Sequence, residues 1–154
     1  MRTTLRTAPV ISDAVYGRDG KGNFPALQKL AEKLPIFPTV KNKRSMIYTE
    51  NLAEFLRLLT DSGDGGIFYP QNAEYISTWD MVRMIAAANG KKILPCPILN
   101  PFVYMASRVP GRLGKLVNKA FGSMTVDQGL SHEKIEGYCK YSPEESIRRI
   151  YQKG

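Results

Sequence analysis

Histidine and cysteine are scarce in this sequence, and their scarcity argues against two kinds of site. His132 is the one histidine, and Cys96 and Cys139 stand far apart with no metal-ligand spacing. Zinc sites draw most of their ligands from these residue types, so the sequence predicts no bound metal. No serine stands in a Gly-x-Ser-x-Gly pattern, and His132, beside a predicted helix start, is interpreted as solvated rather than as a general base.

Long apolar runs are missing as well. No stretch approaches the roughly 18 apolar residues that a membrane-spanning helix needs, and the opening MRTTLRTAPV contains nothing like the apolar core of a signal peptide. The sequence therefore predicts a cytoplasmic protein, and it does not favour a membrane as its partner.

Acidic residues are outnumbered by basic ones, 14 against 22, which gives a formal net charge of +8. That balance permits an anionic partner such as a phosphorylated ligand or a nucleic acid. Nucleic acid is not favoured, because no run of Phe and Tyr among Gly and Lys forms the stacking platform of an RNA-binding strand. A small basic module that binds nucleic acid or another protein is kept as the alternative function.

The rest of the composition is that of an ordinary folded domain. The 154 residues are 43% hydrophobic and 23% charged, which predicts a single domain over residues 1–154. Strand and helix signals alternate, so the predicted class is α/β, with short strands and several amphipathic helices. The predicted strands include residues 3–11, 45–49 and 66–70, and helices are predicted to begin at Asn23, Thr49, Ser77 and Ser142.

Two positions suit an anionic ligand. Asn23, followed by Pro25, is a predicted N-cap, and the free N–H groups of a helix N-terminus can bind an anion. Arg44 stands alone before the predicted strand at 45–49, and a guanidinium can contact a phosphate through two parallel hydrogen bonds. A plain cap and a solvated basic loop are the alternative interpretations of these two residues.

Motifs for cofactor chemistry are absent from the sequence. Gly20-Lys21-Gly22 begins like a dinucleotide-binding Gly-x-Gly-x-x-Gly loop but continues Asn-Phe-Pro, and there is no Gly-x-x-x-x-Gly-Lys-Ser/Thr loop. No tyrosine has a lysine four residues later; Tyr104 is followed at that distance by Arg108. The sequence therefore predicts neither catalytic nor cofactor-binding residues.

A family resemblance connects these observations. KGNFPALQKLAEKLPIFP, followed by NKRSMIYTENLAEF, resembles the C-terminal, substrate-binding half of NAD-dependent sugar-nucleotide epimerases and dehydratases. These are the extended short-chain dehydrogenase/reductases (SDRs), of which UDP-glucose 4-epimerase is the best-known type. VYG at 15–17, residues 66–92 and the closing YSPEESIRRI resemble further parts of that half. The resemblance covers about residues 14–150 and leaves the path of residues 1–13 open.

The resemblance implies a UDP-sugar as ligand and gives roles to particular residues. Asn23 and Phe24 match a pair that begins a helix beside the diphosphate, Phe37 matches an apolar residue near the uracil, and Arg44 matches an arginine on the diphosphate. Arg108 and Arg112 are weaker candidates for a second phosphate-binding arginine. A complete family member also has an NAD-binding Rossmann half and a Tyr-x-x-x-Lys pair, so this chain is expected to be a truncated or separately encoded lobe without turnover of its own.

The missing half implies partners for the lobe. We expect either a homo-oligomer or a subunit that completes a chain carrying the Rossmann half. The segment from Phe102 to Phe121 is a candidate docking surface, with a membrane-surface helix as the other interpretation of its amphipathic, basic pattern.

Overall fold

The computed structural model describes residues 8–12, 14–132 and 135–152. Its helices are α1 (Phe24–Lys33), α2 (Thr49–Ser62), α3 (Thr78–Ala88), α4 (Asn100–Ser107), α5 (Arg112–Phe121), α6 (Gln128–His132) and α7 (Pro143–Gln152), with a 3-10 turn at Pro97–Leu99. Its strands are β1 (Val15–Tyr16), β2 (Ile36–Phe37), β3 (Ile47–Tyr48) and β4 (Leu94–Pro95). The predicted class, α/β with short strands and several amphipathic helices, is confirmed.

The strands form two separate parallel pairs rather than one sheet. β1 pairs with β3, placing Val15 opposite Ile47, and β2 pairs with β4, placing Ile36 opposite Leu94. Prolines keep the second pair short, because a proline lacks the N–H that would continue the ladder. The pairs therefore join distant parts of the chain without building a sheet wide enough to organise the fold.

Predicted strands agree with the structure only in part. Residues 45–49 contain β3, but the strand predicted at 66–70 is wrong, because only Phe68 pairs there, in an isolated bridge to Val10. Residues 3–7 of the first predicted strand lie outside the described residues. β1 and β2 fall in segments for which no strand was predicted.

Helices supply most of the packing. α1 packs against α3, and α3 against α7, because each has one apolar stripe that must be buried. These three helices enclose the larger apolar core, and α2 covers a smaller one around Phe55 and Tyr138. The fully or nearly fully buried side chains of the larger core include Tyr16, Phe24, Phe37, Met81, Val82, Ile85 and Ile147.

Helix starts follow the predicted capping patterns at two of four positions. The Ser77 hydroxyl oxygen accepts from the Asp80 N–H at 3.0 Å, and that of Ser142 accepts from the Glu145 N–H at 3.2 Å. Asn23 occupies the N-cap position of α1 but has helical backbone angles and makes no side-chain cap. Thr49 lies inside α2, after the N-cap Tyr48, and its hydroxyl donates to the Tyr16 carbonyl at 2.9 Å.

Helices α4 and α5 pack on each other as a hairpin, which we term the 97–121 hairpin and which includes the 3-10 turn. Gly114 allows the close approach, because a Cβ there would collide with the Val109 carbonyl oxygen. The Asn118 amide donates to the Ser107 carbonyl at 2.8 Å. Phe121, at the end of α5, stacks on Phe37 and attaches the hairpin to the core. In the described part of the chain, no helix has both the length and the apolar character needed to cross a membrane.

Tyr16, on β1, joins a buried polar network. Its hydroxyl lies 2.7 Å from the Ser146 hydroxyl and accepts from the Asn72 amide at 2.9 Å. Burial disfavours the phenolate and raises the pKa of Tyr16 from 10.0 to about 12, although both hydrogen bonds act in the opposite direction. The neutral phenol is therefore the form that the folded state stabilises.

This raised pKa predicts a loss of stability in alkali. Between pH 10 and about pH 12 the folded state keeps the Tyr16 proton that the unfolded chain releases, so the contribution is complete below pH 10 and is lost as pH rises through 12. Urea titrations across this window should show the free energy of unfolding falling with pH. Tyr16→Phe should flatten that fall, whereas Tyr104→Phe, at an exposed position, should keep it. A Tyr16→Phe protein with the wild-type slope would contradict the assignment.

Candidate functional site

A cleft of about 380 Å³ opens where the starts of α1 and α3 meet the end of α5. β1 and the segment before β3 form its floor. Its basic members are Lys21, Arg44 and Lys119, and none of the described residues that line it is acidic. The other lining residues are Ala14, Val15, Gly22, Asn23, Phe24, Leu27, Met46, Ser77, Thr78, Met81 and Met124.

Two helix N-termini meet at this cleft. α1 begins after Asn23 and α3 after Ser77, and both residues line the cleft. The first N–H groups of a helix lack intrahelical partners, and the helix dipole adds a partial positive charge there. α1 has no acidic residue in its first turn, whereas Asp80 partly offsets the positive end of α3. The start of α1 is therefore the better place for an anion.

Arg44 is the most deeply placed cation of the cleft, with 9% of the residue exposed. Its backbone bridges Ile76 on one side and Met124 on the other, which fixes the Cα at the cleft floor. One guanidinium nitrogen, Nη1, donates to the Lys119 carbonyl at 2.6 Å and to the Ala120 carbonyl at 3.3 Å. The buried Nε has no hydrogen-bond partner among the residues that the structure describes. Arg44 thus has donor capacity that its contacts with the end of α5 do not use.

The end of α5 receives donors from three separate segments. Besides Arg44, the Asn23 amide donates to the Lys119 carbonyl at 3.4 Å, and the Thr78 hydroxyl donates to the Ala120 carbonyl at 2.5 Å. The last carbonyls of a helix lack intrahelical partners and carry partial negative charge, so they attract a cation. Asn23 and Arg44 therefore hold α5 in place while lining the cleft, and Asn23 makes this contact instead of capping α1.

The predicted site residues fall into three groups. Asn23, Phe24 and Arg44 line one cleft, and Phe24 is buried there against Tyr16, with 5.7 Å between ring centroids. Phe37 does not line it. Arg108 and Arg112 are exposed near the turn of the 97–121 hairpin and do not line it either. The ligand roles of all these residues stay predictions.

Phe37 lies in the core, with 1% of the residue exposed. Its ring stacks with Trp79 at 6.4 Å and with Phe121 at 5.7 Å between centroids. The two prolines that bracket it belong to the β2 segment, where β4 covers one edge of the backbone. In this arrangement Phe37 connects α3, α5 and β2 through apolar contact.

Sequence reasoning missed several residues of the cleft. Ser77 was predicted only as a helix cap, although a second helix N-terminus was a signal for an anion site. Lys119 carried no such signal, because it is 75 positions beyond Arg44 and reaches the cleft only through the packing of the 97–121 hairpin. Lys21 lies in the glycine-flanked turn that begins like a dinucleotide-binding loop.

Comparison with solved structures identifies the fold. Human epimerase family protein SDR39U1, solved with NADPH, superposes with a TM-score of 0.69 at 18% identity, covering 96% of this chain and 49% of that one. The chain has the fold of about half of an SDR-type epimerase. It spans about half the length of the structures that it matches. No protein-family model matches it, and no curated protein sequence is significantly similar to it.

Two further structures agree with this identification. A dTDP-4-dehydrorhamnose reductase from Clostridium acetobutylicum has a TM-score of 0.64 at 16% identity, with 94% of this chain and 48% of that one covered. UDP-N-acetylglucosamine 4-epimerase from Bacillus cereus has a TM-score of 0.64 at 15% identity, with 96% of this chain and 48% of that one covered. This half-length SDR-type fold is therefore shared with both reductases and epimerases.

Proposed function

We propose that this SDR-type lobe binds the diphosphate of a nucleotide-sugar, with a UDP-sugar as the expected ligand, in the cleft at the start of α1. The observation that carries the proposal is Arg44, a nine-tenths buried cation in the cleft whose Nε has no partner in the described part of the chain. A phosphate oxygen accepting from that guanidinium would form a charge-assisted hydrogen bond in a site of low dielectric.

The residues around Arg44 and the volume of the cleft suit a diphosphate. Lys21 and Lys119 add positive charge, and α1 begins beside Asn23 with no acidic residue in its first turn. A volume of about 380 Å³ lies in the range of small-molecule sites, which is roughly 300–1,000 Å³. Apolar members such as Phe24, Met46 and Met81 leave room for a less polar part of the ligand.

The shared fold makes a nucleotide-sugar the natural ligand class. One matched enzyme is named for UDP-N-acetylglucosamine and another for a dTDP-linked sugar. The resemblance over residues 14–150 points to the substrate-binding half of such enzymes. We infer that this chain corresponds to that half, and that Asn23, Phe24 and Arg44 take the ligand roles that the resemblance implies.

We infer that binding, not turnover, is the activity of this chain by itself. Hydride transfer needs a bound nicotinamide and a proton relay, and the sequence offers neither a Gly-x-Gly-x-x-Gly loop nor a Tyr-x-x-x-Lys pair. NAD binding and catalysis would then belong to a Rossmann half supplied by a partner chain or by further sequence. A homo-oligomer is the other arrangement that could complete the site.

Calorimetric titration tests the proposal. UDP, dTDP, uridine and a single-stranded oligonucleotide are titrated separately into the full chain. We expect both diphosphates to bind. Uridine should bind at least tenfold more weakly, because it has no phosphate to accept a hydrogen bond from Arg44. Binding of the oligonucleotide alone would favour the basic-module alternative and reject the proposal. Incubation with a UDP-sugar and NAD should give neither epimerised product nor reduced cofactor.

A further inference from the structure

The 97–121 hairpin presents an unusually exposed apolar surface. Ile98 is 77% exposed and Leu116 is 65% exposed, and both lie among other large apolar side chains that solvent reaches. Large apolar side chains exposed together on one hairpin indicate a surface that contacts another apolar phase. Its members are Ile98, Phe102, Met105, Val109, Leu113 and Leu116.

The spacing of these residues places them in stripes. Along α4 and the residues flanking it, the exposed apolar positions 98, 102, 105 and 109 recur every three or four residues, which is the period of one helix face. Leu113 and Leu116 are likewise three apart on α5. The opposite side of α5 is occupied by packing, since Gly114 is buried against α4 and Phe121 stacks on Phe37. The exposed stripes are therefore additional to the surface that holds the hairpin in the fold.

Positive charge accompanies the apolar stripes. Arg112, Lys115 and Lys119 recur at spacings of three and four along α5, so they form a stripe next to Leu116, and Arg108 precedes them. No Asp or Glu occurs between Asp80 and Asp127, whereas that interval holds seven Lys and Arg residues. Four of these seven basic residues belong to the 97–121 hairpin, which contains no acidic residue.

We propose that the 97–121 hairpin docks the protein onto an anionic membrane surface. Its apolar stripes enter the boundary between headgroups and acyl chains, and its basic stripe lies among anionic headgroups, which is how amphipathic helices bind in the plane of a bilayer. Anionic lipid is the occupant that satisfies both properties. A second copy of this chain, meeting it through a two-fold axis, would oppose one basic stripe with another.

A membrane partner is not what the sequence alone favours, and docking through the hairpin does not depend on the proposed function. Composition disfavoured a membrane partner because no segment could span a bilayer. A hairpin that lies in the interface does not have to span it, and the structure adds the exposure of the apolar side chains. The nucleotide cleft contributes only Lys119 to this surface.

Flotation of the full chain with lipid vesicles tests the proposal. Vesicles of phosphatidylcholine are compared with an equimolar mixture of phosphatidylcholine and phosphatidylglycerol, at low and high salt. We expect binding to the anionic vesicles, at least tenfold weaker binding to the neutral ones, and weakening by salt. Arg112→Gln with Lys115→Gln should weaken binding roughly 30-fold, because each basic residue near an anionic surface adds about a factor of five.

Matched apolar variants separate the hairpin from general surface hydrophobicity. Leu113→Gln with Leu116→Gln changes exposed residues of the hairpin, so the fold should persist while vesicle binding falls at least tenfold. Leu56→Gln with Ile67→Gln changes exposed residues elsewhere and should keep wild-type binding. The proposal would be overturned if the protein bound both vesicle types equally or bound neither. It would also be overturned if the two apolar double variants lost vesicle binding equally. The proposal would also be overturned if the wild-type protein did not bind lipid but self-associated, and if only Leu113→Gln with Leu116→Gln abolished that self-association. UDP titration of the same variants tests the cleft separately.

Discussion

Replacing Arg44 with Ala should weaken UDP binding about 10- to 150-fold, which corresponds to the roughly 1.5–3 kcal/mol of a hydrogen bond to a charged group. The reason is its position: Arg44 is nine-tenths buried in the cleft, where a hydrogen bond between charged groups is stronger than in bulk water. Titration of UDP into the variant measures the loss directly. No other described arginine lines this cleft.

Arg44 also holds the end of α5, so the experiment needs variants that separate binding from folding. Arg44→Lys keeps the positive charge and one donor group but loses the planar fork, and should bind UDP with intermediate affinity while melting closer to the wild type. Arg108→Ala, at an exposed position outside the cleft, should bind UDP as the wild type does. If Arg44→Ala and Arg44→Lys are folded and both bind UDP with wild-type affinity, the assignment of Arg44 to phosphate is refuted.

Replacing Phe37 with Ala should lower the free energy of unfolding by about 3–5 kcal/mol, the usual cost of removing a buried phenyl ring. The ring is 1% exposed and fills the space between Trp79 and Phe121. Because Phe121 ends α5, the cavity would also loosen the attachment of the 97–121 hairpin. Urea denaturation followed by circular dichroism gives the difference.

A neighbouring residue provides the control for Phe37. Ile36→Ala, on the same short strand but 43% exposed, should change stability much less. Phe37→Leu keeps most of the apolar volume and distinguishes the core from a base-contacting role. A core residue predicts lower stability with UDP affinity little changed in the folded protein. Lost UDP affinity at unchanged stability would instead support the contact with uracil that the sequence resemblance implies.

The helices were predictable because their signals are local. Ser77 and Ser142 cap helices through residues three positions later, and the apolar stripes of α1, α3 and α7 repeat at helical spacing. Strands β1 and β2 were missed because two-residue strands have no period to detect. Val15 and Ile36 are strand residues only because they pair with β3 and β4, which lie far from them in sequence. The strand predicted around Phe68 is wrong because a β-prone run forms a strand only with a partner along its length, and Val10 pairs with Phe68 at a single position.

The part of the candidate site that lies within one short segment of sequence could be predicted. Asn23 and Phe24 begin α1, and a helix start can be read from sequence. Arg44 was predicted from its position before β3 and from the family resemblance, but its contact with the end of α5 depends on a hairpin that begins more than fifty residues later. Phe37 shows the limit of such reasoning, since two flanking prolines are compatible with a buried ring as well as with a ligand contact.

The central claim is that a nucleotide diphosphate occupies the cleft beside Arg44, and amide chemical-shift mapping with UDP tests it most directly. On titration, the account predicts saturable shifts concentrated at the amides of Gly22, Asn23, Arg44, Thr78 and Lys119, with the same amides unmoved by uridine at equal concentration. Shifts confined to other surfaces, or no saturable shifts at these amides, would contradict it.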